Sequence, residues 1–196
     1  MNEMILQLAS KSPRRRELLN QIGVEHKVIS IDVPEQHRPG ESPLAYVSRL
    51  AQAKASTGAA AFPGAPTLGA DTIVCCDDRI LEKPRDKDDF CSMMQRLSGR
   101  AHQVITAVAL THGETTRAAH SITDVCFRDI DDDEIESYWH TNEPQDKAGG
   151  YAIQGLGAVF VTEINGSYSG VVGLPIETLT PLLAAFNVPV WNLKNT

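Results

Sequence analysis

Apolar and polar positions along this chain fall into short blocks that switch between strand-like and helix-like spacing. A run from Ile5 to Ala9 stops at Ser10-Lys11-Ser12-Pro13-Arg14-Arg15-Arg16, and an apolar pattern resumes at Leu18-Leu19. This reads as strand, tight turn and helix, with Ser12 at the N-cap and Pro13 at the first helical position. Val24 to Ile31 predicts a second short strand, and Pro34 to Pro43 a polar loop. Ser42-Pro43 starts a helix through about Ala61, with Tyr46, Val47, Leu50 and Ala51 at helical spacing. Thr67 to Cys76 is an apolar strand interrupted by Gly69-Ala70-Asp71-Thr72, and Asp77-Asp78-Arg79 turns it into Ile80-Leu81 as a hairpin.

The same alternation continues to the far end. Asp86 to Leu97 predicts a helix ending at Ser98-Gly99. Gln103 to Leu110 and Thr115 to Phe127 read as two strands joined by His112-Gly113. Asp131 to Thr141 reads as a helix with Ile135, Tyr138 and Trp139 on one face. Asp146 to Gly157 is glycine-rich and irregular, Ala158 to Ile164 a strand, Gly166 to Gly173 a loop, and Pro175 to Phe186 a final helix. Strands alternating with helices and hairpins predict an α/β chain with a mixed sheet. At 196 residues, with no repeat, low-complexity segment or obvious linker, the chain suits one substantial core or two small lobes sharing a cleft.

Composition narrows the function classes. A net charge of -7 argues against broad, non-specific nucleic-acid binding. Against that background the basic cluster at Lys11 to Arg16 stands out as a local site. No run approaches the ~20 apolar residues that span a bilayer, and the first residues lack the regions of a signal peptide. Cys75, Cys76, Cys91 and Cys126 show no CxxC spacing and read as reduced thiols. The expectation is a cytoplasmic protein with neither a membrane nor a nucleic acid as partner.

Candidate chemistry begins at the first helix. A helix N-terminus carries free N–H groups and partial positive charge, so it attracts anions. Arginines in a first turn often only face solvent, yet they oppose the helix dipole at roughly 0.3–1 kcal/mol each. Two hydroxyls and four basic residues at that end therefore suit a polyphosphate. Asp71 lies within an apolar run, where a buried charge is costly unless it is paired or holds a metal. A functional role is favoured there over a strand-end cap. In Glu82-Lys83-Pro84 the proline holds Lys83 extended, which by itself is a surface turn. Glu35 and Lys54 are unremarkable alone. Asp146-Lys147-Ala148-Gly149-Gly150-Tyr151 can turn backbone N–H groups and an ammonium towards a phosphate, and Gln154 carries an amide suited to a base edge. The chain has no Walker A, GxGxxG, HExxH or GxSxG sequence, and its histidines form no ligand-spaced pair for zinc.

Four ordered motifs, Ala9-Ser10-Lys11-Ser12-Pro13-Arg14-Arg15, Gly69-Ala70-Asp71-Thr72, Glu82-Lys83-Pro84 and Asp146 to Tyr151, resemble those of the Maf family of nucleoside triphosphate pyrophosphatases. Asn165-Gly166-Ser167-Tyr168 and Val172-Gly173-Leu174-Pro175 extend the resemblance over nearly the whole chain. It implies one Maf-type domain over residues 1–196. Its fold would be a mixed twisted sheet with flanking helices, two lobes around a deep nucleotide-binding groove (Maf/ITPase-like). It also implies hydrolysis of a nucleoside triphosphate to monophosphate and pyrophosphate with a divalent cation, Mg²⁺ or Mn²⁺, and a homodimer. By the family pattern Asp71 resembles the proton acceptor that activates water, with Glu35 and Asp71 toward the metal. Ser10, Arg14, Arg15, Lys54, Lys83 and Lys147 match positions around the phosphates. Arg14, Thr72 and Gln154 match the residues that set base choice in the branch acting on dTTP and UTP. The sister branch acting on 7-methyl-GTP, with Trp and Gln in place of Arg14 and Thr72, and a non-catalytic regulator of septum formation are the alternatives.

Overall fold

A seven-stranded mixed sheet frames the computed structural model, which describes residues 5–192. Its strands are β1 (Leu6–Leu8), β2 (His26–Val28), β3 (Thr67–Cys76), β4 (Arg79–Leu81), β5 (Ala101–His112), β6 (Thr115–Phe127) and β7 (Val161–Asn165). The order is β2-β1-β3-β5-β6-β7, with β4 folded back on β3. β1 runs parallel to β2 and β3, and the remaining pairings are antiparallel. The helices are α1 (Pro13–Gln21), α2 (Pro43–Ala61), α3 (Lys87–Leu97), α4 (Asp132–Trp139), α5 (Tyr168–Val172) and α6 (Ile176–Ala185).

β3 organises the molecule. On one side it pairs with β5 from Thr67 to Cys75 without a break. On the other, β1 covers Thr67 and Leu68, and β4 covers Val74 to Cys76. Between them the edge from Gly69 to Ile73 is open, and a groove enters there. Alternation along the strand splits the interior in two. Leu68, Ala70 and Val74 join the larger core with Leu6, Leu8, Phe90, Met94 and Leu179. Ile73 instead joins Tyr46, Val47, Leu50, Ala51 and Ala55 beneath α2. Gly69 lies on that second face, where a β-carbon would fall 2.2 Å from the Ala51 carbonyl oxygen and 2.5 Å from the Ala55 nitrogen. The helix backbone therefore rests directly on the strand.

Several elements differ from the sequence expectation. Gly69 to Thr72 do not interrupt β3, because β5 pairs with each of them. The strand expected from Val24 to Ile31 contracts to three residues, the length of its partner β1. β5 is longer than Gln103 to Leu110, since its hairpin with β6 stays in register out to His112 and Thr115. Residues expected to open the strand at Ala158 belong to a 3₁₀ turn, Leu156–Phe160, and β7 starts after it. The loop from Gly166 to Gly173 contains α5, whose N-cap Ser167 accepts the Gly170 N–H at 2.9 Å. Five residues are too few to show helical periodicity. Ser12 does precede α1, but its side chain makes no capping bond, and its N–H donates to Ser10 Oγ at 3.2 Å.

Candidate active site

The groove at the open edge of β3 has a volume of about 910 Å³. The turn after β1, α2, β3, the segment after β4 and the residues following α4 all border it. Ser10, Arg14, Arg15, Glu35, Lys54, Asp71, Thr72, Lys83, Lys147 and Gln154 all line it, so all ten candidate side chains share one cavity. Among the described residues no three His, Cys, Asp or Glu side chains gather as a metal-binding group.

At its floor one ammonium bridges two carboxylates. Lys54 Nζ lies 2.7 Å from Asp71 Oδ1 and 2.6 Å from Glu35 Oε1. The two acids differ in setting. Burial pushes the Asp71 carboxyl above its usual range, and the charges of Lys54 and Arg15 only partly offset it. Burial acts in the same sense on the half-exposed Glu35, but there the hydrogen bond and charge of Lys54, then Lys83 and Arg15, outweigh it and hold the carboxyl low. Two carboxylates pushed in opposite directions are suited to different tasks.

Arg15 is buried, although it stands between two more accessible arginines. It shares the inner face of α1 with Leu18 and Leu19, three and four residues on. Its Nε donates to the Gly173 carbonyl at 2.8 Å, Nη1 to Ser10 Oγ at 3.0 Å and Nη2 to Thr72 Oγ1 at 3.2 Å. Burial lowers its pKa, and Asp71 acts against that shift. Thr72 continues the network, 2.9 Å from Thr106 Oγ1, and Thr106 donates to the Gly170 carbonyl at 2.7 Å. The arginine that touches Thr72 is thus Arg15, whereas Arg14 lies along the groove near the charge of Asp146.

A strongly tethered loop also lines the groove. Lys147 Nζ pairs with the Asp146 carboxylate and donates to the Glu143 carbonyl. Gly149 adopts φ +68° against Val74, where a β-carbon would come within 2.8 Å, and its N–H donates to the Glu82 carbonyl at 3.1 Å. That bond ties the Lys147 turn to the Lys83 segment. Glu143 accepts from the Leu156 N–H at 2.8 Å, the Gly157 N–H at 2.9 Å and the Tyr138 hydroxyl. Tyr138 in turn accepts the Ala152 N–H at 3.2 Å. The span bearing Gln154 is held from both ends.

Thr106, Tyr138 and Glu143 are not among the functional candidates that the sequence offers. Thr106 carried a usable signal, a hydroxyl within Val104-Ile105-Thr106-Ala107-Val108, the same kind of polar interruption that marked Asp71. Glu143 carried none, because its partners lie 13 and 14 residues further along the chain or on the hydroxyl of a residue expected in the core.

A family profile described as Maf-like protein matches residues 5–186. A dTTP/UTP pyrophosphatase of Saccharophagus degradans is 56% identical over 194 residues, covering 97% of this chain and 92% of the relative. One of Pseudoalteromonas translucida is 50% identical over 180 residues, covering 91% and 95%. Protein VC0702 from Vibrio cholerae matches in structure at 13% identity over 95% of this chain and 99% of its own, with a TM-score of 0.49.

Proposed function

The chain belongs to the Maf-like protein family, and on that premise we propose that it hydrolyses dTTP and UTP to the monophosphate and pyrophosphate, keeping the nucleotide pool in order. The observation that carries this reading is the Lys54 bridge between Asp71 and Glu35, set at the floor of a groove bordered by Arg14, Arg15, Lys83 and Lys147. Relatives of this length and identity are named for that reaction.

Asp71 receives the proton of the attacking water. Burial makes its carboxylate a stronger base than an exposed aspartate, which suits proton abstraction near neutral pH. The water oxygen bonds to the α-phosphorus, the bond from that phosphorus to the bridging oxygen breaks, and pyrophosphate leaves with the electron pair. Lys83, Lys147 and Arg14 offset the charge on the phosphate oxygens. The donor set also fits a divalent cation. Asp71 and Glu35 are hard oxygen ligands near enough to share one lysine nitrogen, and two carboxylates leave room for water and phosphate oxygens, as Mg²⁺ or Mn²⁺ requires. When bound, such a cation supplies charge neutralisation and lowers the pKa of coordinated water. Ser10 contributes a hydroxyl, and Gln154 an amide, to the phosphate and base ends respectively.

The same reading takes the chain as one domain acting in the cytoplasm. No helix among the described residues is long and apolar enough to cross a membrane. It also takes the enzyme as a homodimer, and exposed Leu156 and Val159, three apart on one 3₁₀ turn, offer apolar surface on a common side.

Pyrophosphate release from a panel of nucleoside triphosphates with Mg²⁺ or Mn²⁺ tests the activity. The expected result is fastest release from dTTP and UTP. Release fastest from 7-methyl-GTP would move the chain to the sister branch, and no release from any would leave a non-catalytic regulator.

A further inference from the structure

We infer that Thr106 sets the polarity of the groove: it takes the proton of Thr72, so that Thr72 meets the substrate as an acceptor and selects the ring N–H of uracil or thymine. The inference rests on the proposed activity and adds to it a positioning residue behind the base-selective one.

The proton directions follow from counting donors. The Gly170 carbonyl can only accept, and Thr106 Oγ1 stands 2.7 Å from it. Thr106 has one hydroxyl proton, so that proton is committed to Gly170. The reverse assignment would press two acceptor oxygens together with no hydrogen between them, at a threonine that is 1% exposed. The contact of 2.9 Å between Thr72 Oγ1 and Thr106 Oγ1 is then donated by Thr72. Arg15 Nη2 donates to Thr72 from the other side. Thr72 is left with one lone pair and no free proton.

Ser10 is the mirror case. Its oxygen accepts from the Ser12 N–H at 3.2 Å and from Arg15 Nη1 at 3.0 Å, which fills both lone pairs and leaves its proton free. One guanidinium therefore separates a hydroxyl that donates from a hydroxyl that accepts. Phosphate oxygens only accept, so they belong with Ser10 and are disfavoured at Thr72. What suits Thr72 is a donor. Uracil and thymine carry a proton on N3, whereas the N3 of cytosine is an acceptor. An acceptor fixed at Thr72 thus discriminates between pyrimidines of equal size, a distinction that shape alone cannot make.

Replacing Thr106 with valine keeps the shape and removes the acceptor that holds the Thr72 proton. That proton becomes free to turn into the groove. Values of kcat and KM for dTTP and dCTP are measured for the wild type, Thr106→Val and Thr106→Ser, each checked for folding by circular dichroism. In Thr106→Val the preference for dTTP over dCTP is expected to fall about tenfold, the size of one hydrogen bond, chiefly through KM. Thr106→Ser restores the hydroxyl and is expected to keep the wild-type preference within about twofold. If the valine variant does not fold, Thr106→Cys, whose thiol is a weak donor and acceptor, carries the same expectation. An unchanged preference without the hydroxyl, or an equal loss in Thr106→Ser, overturns the inference. A wild type inert towards dTTP overturns the proposed activity and this inference together.

Discussion

Lys54 meets Asp71 at 2.7 Å because a glycine two residues before that aspartate lets α2 lie on β3. Gly69 and Asp71 point to the same face of the strand. The helix residues over Gly69 are Ala51 and Ala55, and Lys54 falls between them on the helix. The pairing at the floor of the groove is thus fixed by backbone packing.

Substituting Gly69 with alanine tests that dependence. The new β-carbon would sit 2.2 Å from a main-chain oxygen and 2.5 Å from a main-chain nitrogen, neither of which can rotate aside. α2 must lift, at a cost of about 1–3 kcal/mol by the usual measure of overpacking. Lys54 lifts with it, so turnover of dTTP is expected to drop by at least about tenfold. Urea unfolding and steady-state kinetics on the same preparation check both. A loss of stability with full activity would show that Lys54 is placed independently of Gly69.

Asp71→Asn should separate activity from stability. Burial raises the folded-state pKa of Asp71 above its unfolded value. The folded protein then binds that proton more tightly than the unfolded chain, so ionised Asp71 detracts from stability as pH rises through the shifted range. Asparagine removes this cost, while Lys54 keeps its contact of 2.6 Å with Glu35. The variant is expected to melt no lower than the wild type at pH 8, with its relative advantage shrinking at lower pH. Turnover of dTTP should fall on the order of 10³-fold, as for removal of a general base. A variant that keeps the wild-type rate would remove Asp71 from that role.

The parts of this site that the sequence made legible are those that local patterns encode. A strand, a hydroxyl-rich turn and a basic helix start at Ser10 to Arg16 are written in consecutive residues, as is the glycine turn at Lys147. The phase of α1 was also readable, since Leu18 and Leu19 at three and four residues past Arg15 put that arginine inside. The links from Thr72 to Thr106 and from Arg15 to Gly173 were not. They depend on strand register across β3 and β5 and on where α5 folds back, 158 residues from Arg15 in the second case. The shortness of α5 hid it for a different reason, because one helical turn has no periodicity to detect.

His102 gives the protein an acid-sensitive core beside the groove. It is 3% exposed, packed edge-on against Phe127 and Tyr151. Its Nε2 lies 2.7 Å from the Tyr151 hydroxyl, and Nδ1 has no partner among the described residues. Burial lowers its pKa from 6.5 to about 4. The unfolded chain therefore takes up a proton as pH falls through 6.5, whereas the folded protein resists until about 4. Stability is complete above the upper value and drains away across this window, by about 3 kcal/mol in all. His102→Gln keeps a polar partner for Tyr151 and removes the titration. Urea unfolding between pH 7 and pH 4 is expected to show a flatter decline for the variant, the two curves converging towards acid. Equal slopes would assign the acid sensitivity to the carboxylates instead.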